Sequence, residues 1–126
     1  MEMVAALFVE GIDFRQVEAG STRIDLTGVY FSVPVQSFPA SLEPHLIVLM
    51  RCPENHPGTG NLEVVFRRGE EEVARNLQPF MVEPGKFGYR LVRGQLEFAE
   101  PGTVEAHCTI EGSGQTIVVP LTALAA

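Results

Sequence analysis

The sequence predicts an all-β domain, and three features of the chain lead to that fold class. Short runs rich in Val, Ile, Thr, Phe and Tyr recur at intervals of roughly ten to fifteen residues. Turn-forming residues bound each run, and the chain contains 12 Gly and 9 Pro. No segment repeats its apolar residues with the roughly 3.6-residue period of a helix. We therefore expect roughly seven to eight strands and at most one short helix.

A chain of 126 residues with this many strands has room for one domain. Roughly seven antiparallel strands in such a length most often form two packed sheets. The prediction is a single domain over residues 1–126, an antiparallel two-sheet sandwich resembling the immunoglobulin fold. A small β-barrel is the alternative, because it needs the same strand count and the same alternation of side chains.

The first half of the chain contains three predicted strand segments. "MVAALFVE" (3–10) is the first, and "GIDFRQVEAGS" after it is interpreted as a polar connection. "TRIDLTGVYFSVPV" (22–35) is the second, in which Gly28 and Pro34 indicate a bulge and a strand end. After the predicted loop "SFPASLEP" comes "HLIVLMRC" (45–52), the most apolar strand of the chain.

The second half begins with "PENHPGTG", which is turn material throughout. "NLEVVFRR" (61–68) and "EEVARNLQPF" from residue 71 follow as a predicted hairpin with Gly69 at its turn. "FGYRLVRGQLEFAE" (87–100) is the next strand segment. "TVEAHCTIEG" and "QTIVVPLTAL" form the predicted closing hairpin.

The closing hairpin shows the alternation of a strand that lies between core and water. Gly112 and Gly114 supply the positive φ values that a tight turn needs. His107 and Cys108 are neighbours in sequence but point to opposite faces, so they cannot act together. The apolar face carries Val104, Ala106, Cys108 and Ile110, and the polar face carries Glu105, His107, Thr109 and Glu111.

Charge and composition exclude several classes of function. A net charge of −7 argues against nucleic acid, because phosphate binding needs a clustered basic face. The start of the chain, "MEMVAALFVEGIDFRQ", does not have the pattern of a signal peptide, and no stretch approaches the roughly 20 apolar residues of a membrane span. We therefore expect a cytoplasmic protein with no membrane or nucleic-acid partner.

The order of these segments resembles a family of small bacterial proteins known only as a domain of unknown function. The corresponding pieces here are "VAALFVEG", "IDLTGVYFSVP", "HLIVLMRC", "EPGTVEAHCTIEG" and "TIVVPLTAL". This chain departs from the family pattern at Val104, where members usually carry an aromatic residue after the Pro-Gly turn. The resemblance implies a sandwich-like fold and no established activity, so it assigns no functional residues.

Few residues of the chain suggest a metal or a disulfide. "CPENH" places Cys52 and His56 at C-x3-H spacing, with His45 and His107 as possible further ligands. A structural zinc site usually has four convergent ligands, whereas only one such pair exists here. Cys52 and Cys108 lie on strands comparable to those that an immunoglobulin disulfide joins. Without an export signal, we expect two reduced core thiols, no metal and no cofactor.

Catalysis has little support in the sequence. The serines lie in turns without a nucleophile elbow, and cysteine catalysis needs a nearby histidine. "GSG" at 112–114 is too short for a phosphate loop and leads into a strand. The acidic run "GEEE" is typical of a solvated turn. We therefore predict that the protein is not an enzyme.

The strand "HLIVLMR" is apolar on both faces, which is unusual for an antiparallel strand with one face in water. Its second face needs a cover, and this predicts a non-enzymatic protein-interaction or structural module. We expect a protein partner or a homodimer that uses this sheet, with Ile47, Leu49 and Arg51 as the possible interface. The alternative is that "GIDFRQVEAGS" or the 35–44 loop folds over the same face. A small-ligand-binding barrel or a minor hydrolase remains the competing functional class.

Overall fold

The computed structural model describes all residues 1–126 and contains eleven strands and one short 3-10 turn, Glu18–Gly20. The strands in chain order are β1 (Glu2–Gln16), β2 (Thr22–Val29), β3 (Ser32–Val35), β4 (Ala40–Leu42), β5 (His45–Arg51), β6 (Thr59–Arg68), β7 (Glu71–Met81), β8 (Phe87–Arg93), β9 (Leu96–Phe98), β10 (Gly102–Ile110) and β11 (Thr116–Ala125).

The all-β class is confirmed, but the predicted count of seven to eight strands is wrong. The predicted strand 22–35 is divided into β2 and β3, which belong to different sheets. The predicted strand 87–100 is divided into β8 and β9 in the same way, and β4 lies in a predicted loop. Sequence runs that continue from one sheet into another cannot be separated by composition alone, because both halves have the same β-forming residues.

Three sheets account for all the strands. Their strand orders are β2-β1-β5-β8, β3-β11-β10-β6-β7 and β4-β9. None of them closes on itself, so the barrel alternative is wrong. The prediction of purely antiparallel pairing is also wrong, because β3 pairs with β11 in parallel, with Ser32 opposite Thr122. The chain crosses from the four-stranded sheet to the five-stranded sheet after β2. There β3 lies beside the last strand, β11, and runs in the same direction.

One hydrophobic core holds the two larger sheets together. It contains 22 buried residues, most of them from these two sheets, and β9 adds Leu96 and Phe98. The β10–β11 hairpin behaves as predicted, since Val104, Ala106, Cys108 and Ile110 are all buried. Gly112 and Gly114 have φ values of 80° and 71°, the left-handed conformation expected of the turn.

Side chains bridge the two seams where the sheets approach each other. At one seam, the Gln115 side-chain amide accepts a hydrogen bond from the Met3 backbone N–H and donates one to the Met3 carbonyl, both 2.9 Å long. At the other, Gln78 donates to the Leu91 carbonyl and Arg90 donates to the Pro79 carbonyl, each at 3.2 Å. These contacts satisfy backbone groups that no neighbouring strand reaches.

Candidate interaction site on the outer face of the four-stranded sheet

Strand β5 is buried on both of its faces. Leu46, Val48 and Met50 point into the core between the sheets. Ile47 points the opposite way, yet none of its surface is exposed, and the outward-facing Val9 of β1 is 1% exposed. A second apolar layer therefore covers part of the outer face of this sheet.

The cover is the hairpin formed by the second half of β1 and by β2. Within it, Phe14 pairs with Ile24 across the two strands. The Phe14 ring lies 5.2 Å from the ring of Tyr89, a residue of β8 two strands away from β1. Ten residues separate Val4 from Phe14, and a straight strand would carry them about 33 Å apart. Because Val4 and Ile24 line the same groove, β1 must bend back over its own sheet.

The bend occurs where the pairing of β1 with β2 is interrupted. Val9 pairs with Val29 and Gly11 pairs with Thr27, but Glu10 and Gly28 between them are not paired. Gly28 has a φ of 64°, and a Cβ there would lie 2.6 Å from the carboxyl carbon of Glu10. Glycine is therefore needed at this position both for the backbone conformation and for space. Residues 11–16 of the segment predicted as a polar connection continue β1, so the prediction is wrong there, whereas residues 17–21 do form the connection to β2.

The hairpin leaves an open apolar groove of about 350 Å³ between itself and the sheet. Several of its side chains are well exposed, most of all Phe87 at 68%. Contiguous apolar surface of this kind on a soluble protein is typical of an interaction site. The groove is lined by Val4, Thr22, Ile24, Leu49, Phe87, Gly88 and Tyr89.

Charged pairs surround the groove and the outer face of the hairpin. Arg51 lies 3.3 Å from Glu2, and Lys86 lies 3.0 Å from Glu83. On the solvent face of the hairpin, the hydrogen bond from Arg15 lowers the pKa of the Asp25 carboxyl. The rim thus carries both signs of charge, while the lining is mostly apolar.

The three residues predicted as an interface have different environments. Ile47 is fully buried beneath the hairpin and offers no surface to a partner. Leu49 is half-buried and forms part of the groove floor, and Arg51 is exposed beside Glu2. The prediction that Ile47 forms an interface is therefore wrong. The structure instead shows the alternative, in which residues of "GIDFRQVEAGS" fold over this face.

The structure brings Cys52 and His56 together, but a backbone N–H is bonded to the ring nitrogen that faces the thiol. The Cys52 Sγ lies 3.8 Å from the His56 Nδ1, and the Gly58 backbone N–H donates to the same nitrogen at 3.0 Å. A ring nitrogen that accepts a hydrogen bond from a backbone N–H carries no proton of its own. Taking a proton from the thiol would therefore break the hydrogen bond from Gly58. Nowhere in the chain do three His, Cys, Asp or Glu side chains converge as a metal site would require.

The second cysteine has the environment of a core residue. Cys108 is fully buried, and burial raises the pKa of its thiol to about 12. Neither cysteine is in a disulfide. His107, on the opposite face of the strand, lies 3.6 Å from Glu105. The two neighbours therefore point apart, as the alternation predicted.

No protein-family model matches the chain, and no curated protein is significantly similar to it. The resemblance to an uncharacterised bacterial family therefore stays a prediction. No helix in the structure has the length and apolar character needed to cross a membrane.

Sequence reasoning missed the groove because it assigned no strand to residues 11–16. A signal was present, since Ile12 and Phe14 alternate with Asp13 and Arg15, and Ile24 and Leu26 alternate with charged residues in β2. Two such amphipathic runs joined by "EAGS" indicate a hairpin with one apolar face.

Proposed function

We propose that the protein is a non-enzymatic interaction module that binds apolar side chains of a protein partner in the groove between the β1–β2 hairpin and the four-stranded sheet. The observation that carries the proposal is the exposure of Phe87 and Tyr89 beside Leu49, on a face that is otherwise covered. A monomer gains nothing from exposing aromatic rings to water, whereas a partner that covers them removes that surface from water.

The shape of the groove favours protein side chains over a small ligand. Small-molecule sites are usually enclosed and have several convergent polar groups that fix the orientation of the ligand. Here the lining offers only two hydroxyls, those of Thr22 and Tyr89, and the groove is open to solvent along the sheet. Its floor crosses β1, β5 and β8, a width of about 10 Å, which is wide enough for two alternate side chains of an extended chain, because these lie about 7 Å apart.

We also infer that the two larger sheets form a sandwich of the immunoglobulin type. Its support is the strand order: β1, β5 and β8 take the places of strands A, B and E in one sheet, while β11, β10 and β6 take those of G, F and C in the other. Cys52 follows the B-like strand and Cys108 lies on the F-like strand, both in the core. Two free buried thiols also support a cytosolic location, where thiols stay reduced.

The test of the interaction function is a selection of peptides from a random display library against the folded protein. Peptides that bind through the groove should lose at least about tenfold in affinity towards Leu49→Glu, because a carboxylate on the floor must be desolvated when the groove is filled. The matched control is Val118→Glu, which places the same charge at an exposed valine of the other sheet. Equal effects of the two substitutions, or selected peptides that ignore Leu49→Glu, would contradict the proposal.

A further inference from the structure

Strand β2 has a free edge that neither a proline nor a side-chain hydrogen bond blocks. Only β1 is hydrogen-bonded to it, so the opposite edge of β2 has no backbone partner. Its residues 22–29 include no proline, and no side chain hydrogen-bonds to its backbone. An unblocked edge of this length is a template for another strand.

The remaining edges are short or are blocked at one position. β7 carries Pro79, whose carbonyl already accepts a hydrogen bond from Arg90. The Leu91 carbonyl of β8 accepts one from Gln78. β3 is a four-residue strand that includes Pro34, and β4 and β9 have three residues each. Edge prolines and short strands are the usual means by which proteins prevent edge-to-edge pairing.

The hydrogen bonding of the hairpin shows which backbone groups of β2 are free. The Val17 N–H donates to the Ser21 carbonyl at 2.8 Å, which makes residues 17 and 21 a hydrogen-bonded position of the ladder. Such positions alternate along an antiparallel pair, so Arg23 and Asp25 bond to β1. The N–H and C=O groups of Thr22, Ile24 and Leu26 therefore point away from β1.

We propose that a second copy of this chain adds to the free edge of β2, with the two β2 strands antiparallel about a two-fold axis at Ile24. In this register Arg23 of each copy lies opposite Asp25 of the other, on the solvent face of both hairpins. The side chains of Thr22, Ile24 and Leu26 lie together on the face that looks towards the sheet. The two hairpins then form one four-stranded ribbon.

Charge selects this register and identifies the occupant as another copy. If the pairing shifts by two residues in one direction, Arg23 lies opposite Arg23 of the second copy. If it shifts by two residues in the other direction, Asp25 lies opposite Asp25 of the second copy. Like charges directly opposite each other disfavour strand pairing, and opposite charges favour it. Within each hairpin Arg23 already lies opposite Arg15 and Asp25 opposite Asp13, and one diagonal ion pair, Arg15 with Asp25, offsets this repulsion. Opposite charges across the free edge would offset it further. The sequence Arg23–Ile24–Asp25 is thus complementary to itself in one antiparallel register, which a symmetric dimer requires.

This inference goes beyond the proposed function, because it rests on the edge of β2 and not on the filling of the groove. Sedimentation equilibrium from about 1 to 100 μM, a range that brackets a micromolar Kd, should show a reversible dimer of the native chain. Arg23→Asp should raise the dimer Kd by at least about tenfold, because it turns two attractive contacts into repulsive ones. Asp25→Arg should do the same, but it also breaks the ion pair with Arg15 within the chain, so Arg23→Asp is the cleaner test. The Leu49→Glu variant, which tests the groove, should still dimerise.

Two rescues make the test specific. The double variant R23D/D25R should dimerise like the native chain, because both opposite-charge contacts are restored with their signs exchanged. An equimolar mixture of the R23D chain with the D25R chain should form a heterodimer although neither forms a homodimer. Matched controls are Arg93→Asp and Glu100→Arg, which make the same charge changes at exposed positions outside β2.

Amide hydrogen exchange provides a readout of the pairing itself. The amides of Ile24 and Leu26 should be protected at 100 μM and unprotected in the R23D chain, with unchanged exchange in β10. A native chain that is monomeric at 100 μM would overturn the proposal. A dimer that survives Arg23→Asp, or a mixture of the two single variants that stays monomeric, would overturn it as well.

Discussion

The β10–β11 hairpin and the β1–β2 hairpin have similar residues and opposite relations to the core. In β10 the apolar face packs inside and the polar face meets water, so alternation alone gives the burial of Ala106 and Cys108. The β1–β2 hairpin leaves its sheet at Gly28 and lays its apolar face on the outside of that sheet. Phe14 there remains 51% exposed, whereas the inward residues of β10 are buried. A covering hairpin therefore tolerates partial exposure that a core hairpin does not.

The largest expected effect is the loss of the fold when a charge enters the core hairpin. Ala106→Asp places a carboxylate at a fully buried position between two sheets, where no partner can compensate it. We expect no cooperative thermal unfolding transition by circular dichroism. Thr109→Asp, an outward position of the same strand, should keep the native transition. A folded Ala106→Asp variant would mean that the packing assigned to β10 is wrong.

The next effect measures how well the covering hairpin buries the outer face. Ile47→Ala removes a fully buried side chain and should destabilise the protein by about 2–4 kcal/mol, like a core truncation. Val118→Ala, at an exposed valine of the other sheet, should cost less than about 0.5 kcal/mol. Urea unfolding curves of both variants give the comparison. Equal small costs would show that the hairpin does not cover Ile47 in solution.

A third effect is the loss of stability at alkaline pH that the buried thiol of Cys108 causes. The pKa of Cys108 is raised by burial from 9.0 to about 12, so the folded state keeps a proton that the unfolded chain loses. This contribution is fully present below pH 9 and is lost as the pH rises towards 12, at about 1.4 kcal/mol per pH unit. The free energy of unfolding, measured in urea between pH 8 and 11, should therefore fall more steeply with pH for the native chain than for Cys108→Ala. Parallel pH profiles would contradict the prediction.

The same thiols give a chemical test of their redox state. Alkylation of the unfolded chain without reductant should add two groups, one at Cys52 and one at Cys108, as measured by intact mass. In the folded protein Cys108 should react far more slowly, because the reactive species is the thiolate. An unmodified mass after unfolding would indicate a disulfide.

The smallest effect is expected at the contact that anchors the covering hairpin. Phe14→Ala removes the ring that packs on Tyr89 and should destabilise the protein by about 1 kcal/mol. Phe31 is a matched control, because it is 50% exposed and stacks on no other ring. Phe31→Ala should cost clearly less by the same unfolding measurement. A reversed order would mean that the Phe14 contact does not hold the hairpin down.

Much of the fold was predictable, and the candidate site was not. The turns at Gly69 and Gly112 and the two faces of β10 follow from local patterns that a strand imposes on its own residues. The two-faced apolar strand β5 also indicated correctly that its outer face needs a cover. To predict the groove, one must know where β2 lies relative to β5 and β8. The periodicity within β1 or β2 shows which residues share a face, but it does not show which other strands that face contacts.

By itself the amino-acid sequence determined the all-β class, the closing hairpin, the inward cysteines and the need to cover Ile47. Those features depend on neighbours a few residues apart, whose spacing the backbone geometry sets. Only the tertiary structure decided that the chain covers Ile47 with its own hairpin, that β3 pairs in parallel with β11, and that β2 keeps a free edge. These outcomes depend on a bend at one glycine and on contacts between residues far apart in sequence, where many arrangements satisfy the same local pattern.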